Sequence, residues 1–227
     1  MNKLKKAAVI ISAAVTGTMA FGANPVSAEA ADVNYTYIKQ VLLKVNAYRT
    51  QNNMQPVKLN ISLCDAASVR AEEIKTVFDH VRPSGENFHT AIMALNLDMT
   101  YASENIAAGF ISGDEVMSGW INSAGHKANI LTPEVTHMGV GVSGTYWTQI
   151  FTAGLKGSPA FVGDTNYDGK LTAIDSAKAL TYYSYQATYD FFTELDEFVN
   201  AADYNRDGKV TPVDAALILE AYADNAT

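Results

Sequence analysis

The chain has 227 residues, 48% hydrophobic and 18% charged, the composition of a globular protein with room for one mid-sized domain and a small one. Its 24 acidic and 16 basic residues give a net charge of −8, which argues against nucleic acid or an anionic membrane surface as the main partner. A single cysteine, Cys64, excludes an internal disulfide framework.

Lys3, Lys5 and Lys6 open the chain, and an uncharged run of small and apolar residues follows from Ala7 to Ala23. Val26-Ser27-Ala28 then offers small residues for cleavage. The pattern predicts a secretory signal peptide over 1–28, and hence an extracellular protein. No later stretch is long and apolar enough to span a bilayer.

Ile38, Val41, Leu42, Val45 and Tyr48 recur at helical spacing and predict a helix over 34–52 that Pro56 closes. Leu63, Ala66, Ala67, Val69, Ala71, Ile74 and Phe78 predict a second helix over 61–78. Cys64 lies in it and reads as a small buried hydrophobe. A loop with Pro83 and Gly85 precedes a short helix near 87–96. Ile106-Ala107-Ala108 before Gly109 suits a buried strand. Residues 114–131 read as helix in two pieces, broken near Gly125. The segments 136–143 and 145–153, rich in Val, Ile, Tyr, Trp and Thr around Gly144, predict a β-hairpin. Trp120, Tyr146, Trp147 and Phe151 read as core. The order predicts an α+β domain with helices packed on a sheet.

A stretch rich in Gly, Ser and Pro reaches to residue 163, and the rest is an internal repeat at an offset of 39 residues. Asp164-Thr-Asn166-Tyr-Asp168-Gly169-Lys170-Leu171-Thr172-Ala173-Ile174-Asp175 matches Asp203-Tyr-Asn205-Arg-Asp207-Gly208-Lys209-Val210-Thr211-Pro212-Val213-Asp214. Apolar helical stretches follow at 176–184 and 215–222, with a third amphipathic helix expected near 188–200. Residues 160–227 carry 12 acids and 4 bases, which suits a cation site.

Calcium needs several hard oxygen ligands at one point, which a 12-residue loop supplies from positions 1, 3, 5, 7, 9 and 12, with Gly at 6 for the sharp turn. The predicted ligands are Asp164, Asn166, Asp168, the Lys170 carbonyl, Thr172 and Asp175 for one ion. For a second they are Asp203, Asn205, Asp207, the Lys209 carbonyl, Thr211 and Asp214. Leu171 and Val210 are expected to pair between the loops and bury. A solvated Asp/Asn/Gly turn would explain one such loop, but hardly two that agree at all six key positions. Position 12 is Asp, where an ordinary EF-hand has Glu, and the first loop has no helix before it. In these features the tail resembles type I-like dockerins. The resemblance implies a small all-α module that calcium folds and that binds a cohesin domain of a scaffold protein. It also implies that positions 10 and 11, Ala173-Ile174 and Pro212-Val213, contact that partner.

A second set of motifs runs through the larger domain. It comprises Val45-Asn46-Ala-Tyr48-Arg49, Ala67-Ser-Val-Arg70-Ala71, Phe78-Asp-His80-Val-Arg82-Pro83-Ser-Gly85 and Glu104-Asn105-Ile106-Ala107. Trp120-Ile-Asn-Ser123-Ala-Gly125-His126-Lys-Ala-Asn129-Ile130-Leu131, Gly139-Val-Gly141-Val and Trp147-Thr-Gln149-Ile-Phe151 complete it. In this order the set resembles the CAP superfamily of SCP-like extracellular proteins, in its bacterial form, over about 36–153. The resemblance implies a three-layer α-β-α sandwich with a cleft that gathers His80, Glu104 and His126. Two imidazoles and a carboxylate could hold zinc with one place open for water, or Glu104 could act as a base. Each also has a structural explanation: His126 at the helix break, Glu104 as a buried carboxylate, His80 paired with Asp79 or Arg82. The family's eukaryotic pattern has a further Glu where Ser123 stands and a His where Tyr146 stands, so zinc in the cleft is disfavoured.

The expected organisation is a signal peptide over 1–28, a CAP/SCP-like domain over 33–155, a linker over 156–163 and a dockerin-like domain over 164–225. The expected function is that of a secreted, cellulosome-type component whose dockerin brings a CAP domain to a complex. There the CAP domain would bind a small apolar ligand, a peptide or a wall or polysaccharide fragment. The alternatives are a hydrolase of peptide or ester bonds using His80, Glu104 and His126, and a stabiliser or inhibitor of neighbouring proteins.

Overall fold

The computed structural model describes residues 28–225, with side chains from Asn34 onward. The expected signal peptide lies outside the described residues but for Ala28. Among the described residues no helix is long and apolar enough to cross a membrane.

Helix α1 (Ala28–Gln51) buries Ile38, Val41, Leu42 and Val45 at the expected spacing. Strand β1 (Lys58–Asn60) leads directly into α2 (Ile61–Glu73), and the Asn60 side chain caps that helix by accepting from the Leu63 amide at 2.9 Å. A short helix α3 (Thr90–Met93) and strand β2 (Leu97–Asp98) precede β3 (Tyr101–Ala108). Helices α4 (Gly113–Asn122) and α5 (Ala124–Ile130) follow, then the hairpin β4 (His137–Ser143) and β5 (Tyr146–Ala153). The break between α4 and α5 falls at Ser123, whose extended backbone interrupts the ladder two residues before Gly125.

One sheet has the order β3-β5-β4-β1-β7, where β7 is Phe192–Thr193. The hairpin and β3 pair antiparallel, while β1 runs parallel to β4 and to β7. Helix α2 packs on one face through β4 and β5, and α1, α4 and α5 cover the other. The two faces separate by alternation along each strand. Met138, Val140, Trp147 and Phe151 enter the core under α1, and Trp120 of α4 joins them. Gly139 and Gly141 face α2 so closely that a Cβ on either would lie 2.2 Å from the helix backbone at Leu63 or Ala67. The α-β-α sandwich expected from the motifs is the observed architecture.

Two expected helices end differently. Helix α2 stops at Glu73, not 78, because Arg70 and Glu73 bind the chain that returns beneath them; Val77 and Phe78 are left exposed. The helix expected near 188–200 is divided. Helix α6 (Ala173–Thr188) ends at Tyr189, β7 follows, and α7 (Asp196–Ala202) begins only after it. Tertiary pairing of Phe192 overrides local helix preference there. The Gly/Ser/Pro stretch also contains a short strand, β6 (Lys156–Gly157), paired antiparallel with β2. Helix α8 (Pro212–Asn225) packs on α6 and completes the helical C-terminal region.

Candidate functional site

Glu104 lies on β3, an edge strand of the sheet, with its side chain fully buried toward α2. Burying a carboxylate demands a matched partner, and Arg70 of α2, itself fully buried, supplies it. The Arg70 Nε donates to Glu104 Oε1 at 2.8 Å and Nη2 to Oε2 at 3.3 Å. The remaining donors of Arg70 hold Glu73 (2.8 Å) and the Asp79 carbonyl (2.7 Å). Arg82 closes the network with bonds of 2.6 to 3.1 Å to the Glu73 carboxylate. Burial pushes Glu73 up, but Arg82 and Arg70 outweigh it and hold the carboxyl below its ordinary value.

This network fixes the loop that presents His80. The chain turns back through an isolated bridge between Val81 and Asn87, and Phe88 N donates to the His80 carbonyl at 3.0 Å. His80 Nδ1 stands 2.8 Å from Glu104 Oε2, while half of the imidazole is exposed. The hydrogen bond to Glu104 raises the His80 pKa against the smaller opposing effect of burial. The Phe88 ring lies edge-on beside the imidazole at 6.5 Å. Trp120, Trp147 and Phe151 are buried in the core as expected, whereas Tyr146 is half-buried.

His126 sits in the first turn of α5. Its pKa moves the opposite way, lowered first by burial and then by the charge of His80. Below it, Asn105 Nδ2 donates to the His126 carbonyl (3.2 Å) and to Gln149 Oε1 (3.0 Å). Asn129 Nδ2 donates to the Glu104 carbonyl (3.2 Å) and Asn105 Oδ1 (2.8 Å). These amides bind α5 to β3, so both histidines are held by buried polar side chains. The sequence pointed to His80, Glu104 and His126; His80 is bonded to Glu104 by its side chain, and His126 is linked to His80 only through the charge that lowers its pKa. The sequence did not assign roles to Arg70, Glu73, Asn105, Asn129 and Gln149, although the first and the last three lie inside the quoted motifs. His80 turns to Glu104, not to Asp79 or Arg82. Both Glu104 oxygens are engaged, so a zinc ion on this trio would have to displace Arg70; the arrangement does not fit zinc.

The two C-terminal loops repeat each other in detail. The Asp168 amide donates to Asp164 Oδ1 (3.1 Å) and Asn166 Oδ1 (3.1 Å), and the Asp207 amide to Asp203 Oδ1 (3.1 Å) and Asn205 Oδ1 (2.9 Å). Positions 1 and 3 therefore converge in both. Position 12 folds back in both as well. Asp175 Oδ1 accepts from the Asn166 amide at 3.2 Å and Asp214 Oδ1 from the Asn205 amide at 3.2 Å. The other oxygens of Asp175 and Asp214 accept from Thr172 and Thr211, each of which starts the next helix. Gly169 and Gly208 adopt φ of 72° and 85°, which the turn requires. Asp164, Asp175 and Asp214 are fully buried, and none of the described ion pairs gives them or the other loop carboxylates a cation. Buried carboxylates without a countercharge, beside converging Asn side-chain oxygens, fit a hard cation of calcium's type. Ile174 and Val213 are exposed, as partner contacts would be. Leu171 and Val210 are only half-buried at the rim of the core, not fully buried as expected.

Residues 42–152 match the cysteine-rich secretory protein family (CAP), and residues 162–221 match the dockerin type I domain. Over 119 residues the chain is 35% identical to the uncharacterized protein YkwD of Bacillus subtilis, covering 51% of this chain and 46% of that protein. Over 121 residues it is 30% identical to the uncharacterized membrane protein YlbC of the same organism, covering 52% and 35%. The chain thus spans less than half the length of either relative. A solved extracellular protein containing an SCP domain, from Bacillus anthracis, aligns with a TM-score of 0.54 and 25% identity, over 58% of this chain and 45% of that one. Type I dockerins bind calcium and a cohesin partner. This chain carries a CAP domain of the cysteine-rich secretory protein family followed by a type I dockerin domain.

Proposed function

We propose that this protein is an extracellular, calcium-dependent adaptor that presents a ligand-binding CAP domain to a scaffold cohesin. The observation that carries the adaptor reading is the matched pair of loops, with buried carboxylates, no basic partner and an exposed apolar side chain (Ile174, Val213) beside each. Asp164, Asn166, Asp168, the Lys170 carbonyl, Thr172 and Asp175 would hold one ion, and Asp203, Asn205, Asp207, the Lys209 carbonyl, Thr211 and Asp214 the other. Calcium would supply the countercharge that lets these carboxylates stay buried. Calorimetry with calcium should give two ions per chain. Binding of a type I cohesin should vanish in EGTA; cohesin binding that persists without calcium would overturn the reading.

For the CAP domain we favour binding over catalysis. Glu104 is consumed by Arg70 and His80, so it orients an imidazole and has no free oxygen to act as a base. What the site offers is the outer nitrogen of His80, held toward its charged form, next to the Phe88 ring and a neutral-leaning His126. That combination suits a peptide or wall fragment carrying a carboxylate or other acceptor beside an apolar group. A specific observation also favours a second reading. Two histidines whose pKa values move apart are suited to an acid–base pair, as a peptide or ester hydrolase would need. Full-length protein screened against peptide, ester and glycan panels, with His80→Ala as control, separates the two. Retention without turnover, lost in His80→Ala, supports binding. Turnover abolished by the same change supports the hydrolase.

A further inference from the structure

The dockerin does not hang from a linker. Strand β7 comes from the segment between its two calcium repeats, yet it pairs with β1 of the CAP sheet in the register Leu59–Phe192 and Asn60–Thr193. Thr193 Oγ1 adds a bond of 2.9 Å to the Leu59 carbonyl. The next residue, Glu194, reaches the first turn of α2. Its Oε1 accepts from the Ser62 amide (2.8 Å) and hydroxyl (2.7 Å), and its Oε2 from Asn60 Nδ2 (2.9 Å). A carboxylate from the dockerin thus caps the helix that carries Arg70. The apolar core is also shared. Leu63, Ala67 and Ile150 of the CAP domain form one buried cluster with Phe198, Ala202 and Ile218 of the dockerin.

The first calcium loop takes part in this contact through a residue that the second loop replaces with an exposed one. Tyr167 and Arg206 occupy the same loop position with the same backbone, φ of 61° and 60°. Arg206 is exposed, whereas the Tyr167 ring packs against Gly157 of β6, so closely that a Cβ there would lie 2.2 Å from it. Asn96 Nδ2 donates to the carbonyl of Asn166, the residue beside Tyr167, at 3.0 Å. Asn166 and Asp168, which flank Tyr167, are two of the proposed calcium ligands. Ordering loop 1 around an ion therefore also sets the ring that rests on β6, the strand paired with β2 of the CAP domain.

We propose that the dockerin is docked as a fixed part of the CAP sheet, through β7, Glu194 and Tyr167, so that calcium held by loop 1 stabilises the CAP domain itself. The inference rests on the calcium reading above. A ligand that binds only the folded form stabilises whatever unfolds with it. A dockerin on a free tether would leave the CAP transition unchanged.

Both tryptophans, Trp120 and Trp147, lie in the CAP domain, so tryptophan fluorescence reports its unfolding alone. In the full chain, calcium at about a hundredfold excess over its Kd should raise the tryptophan-detected Tm by about 5 to 10 °C relative to EGTA. Gly157→Val, which displaces the ring from the CAP side, and Tyr167→Ala, which removes it from the dockerin side, should each abolish most of that rise while calorimetry still shows calcium bound. Tyr167→Phe should retain the rise. Calcium binding with no shift of the wild-type tryptophan transition would overturn the docking proposal alone. Absence of calcium binding would overturn it together with the calcium reading.

Discussion

Glu104 is the residue on which the candidate site turns. Its charge is matched by Arg70 inside the protein, and removing one member of a buried ion pair leaves the other unpaired at a cost of about 3 to 5 kcal/mol. Glu104→Gln should lose stability on that scale in denaturant unfolding. In the same variant the His80 pKa, followed by NMR, should fall from its raised value toward about 6.5, because the hydrogen bond to the carboxylate is its largest cause. The sign of the pH effect follows. The pKa of His80 is higher folded than unfolded, so its contribution to stability is complete below the unfolded value. It fades as pH rises through the folded one. His126 works in the opposite sense: folding lowers its pKa, so it weakens the fold as pH drops below the unfolded value. The Asn60 side chain is fully buried as the cap of α2, so its Asn-Ile-Ser triplet is not open to glycosylation.

Helix α2 is the element that ties the functions together. It supplies Arg70 to the cleft at its C-terminal end and receives Glu194 from the dockerin at its N-terminal end, and it lies directly on β4. The close approach depends on two glycines whose added Cβ would meet helix backbone, which cannot rotate away. Gly141→Ala should therefore destabilise the domain by at least the roughly 1 to 3 kcal/mol of ordinary overpacking, measured by urea unfolding. It should also loosen the cleft, because the helix that would have to retreat carries Arg70. The periodicity of α1, the hairpin around Gly144 and the existence of α2 were legible from side-chain spacing. The end of α2 was not. Val77 and Phe78 continue its apolar pattern, and only the pull of Arg70 on Asp79 and of Arg82 on Glu73 stops the helix earlier.

At the scale of the whole molecule the two calcium loops share their proposed ligand residues and differ in setting. Loop 1 is wedged between the CAP domain and α7, with Gly163 donating to the Ala201 carbonyl, while residues 205–209 of loop 2 are exposed. Substituting position 1 in each should expose the difference. Asp164→Ala is expected to lower the tryptophan-detected Tm in calcium to the EGTA value. Asp203→Ala should leave it within about 2 °C and instead lower the helical circular dichroism of α8. Equal effects of the two substitutions on the tryptophan transition would contradict the asymmetry.

The amino-acid sequence by itself determined both domain types, and it singled out the proposed ligand positions of the duplicated loops and the proposed trio His80, Glu104 and His126. Those properties are written in local spacing: oxygen donors every second residue around a glycine, apolar residues at helical period, and short motifs in a set order. Tertiary structure alone decided that Glu104 is held by Arg70, that the segment between the repeats becomes a strand, and that Tyr167 and not Arg206 meets the other domain. The first two join residues that are distant in the chain, 34 positions apart for Arg70 and Glu104 and more than 130 for the pairing of Leu59 with Phe192, and the loop that carries Tyr167 is also bonded by Asn96, 70 positions from its partner Asn166. Such pairings leave no periodic trace, because burial of a charge or an edge is settled only when both partners have been brought together.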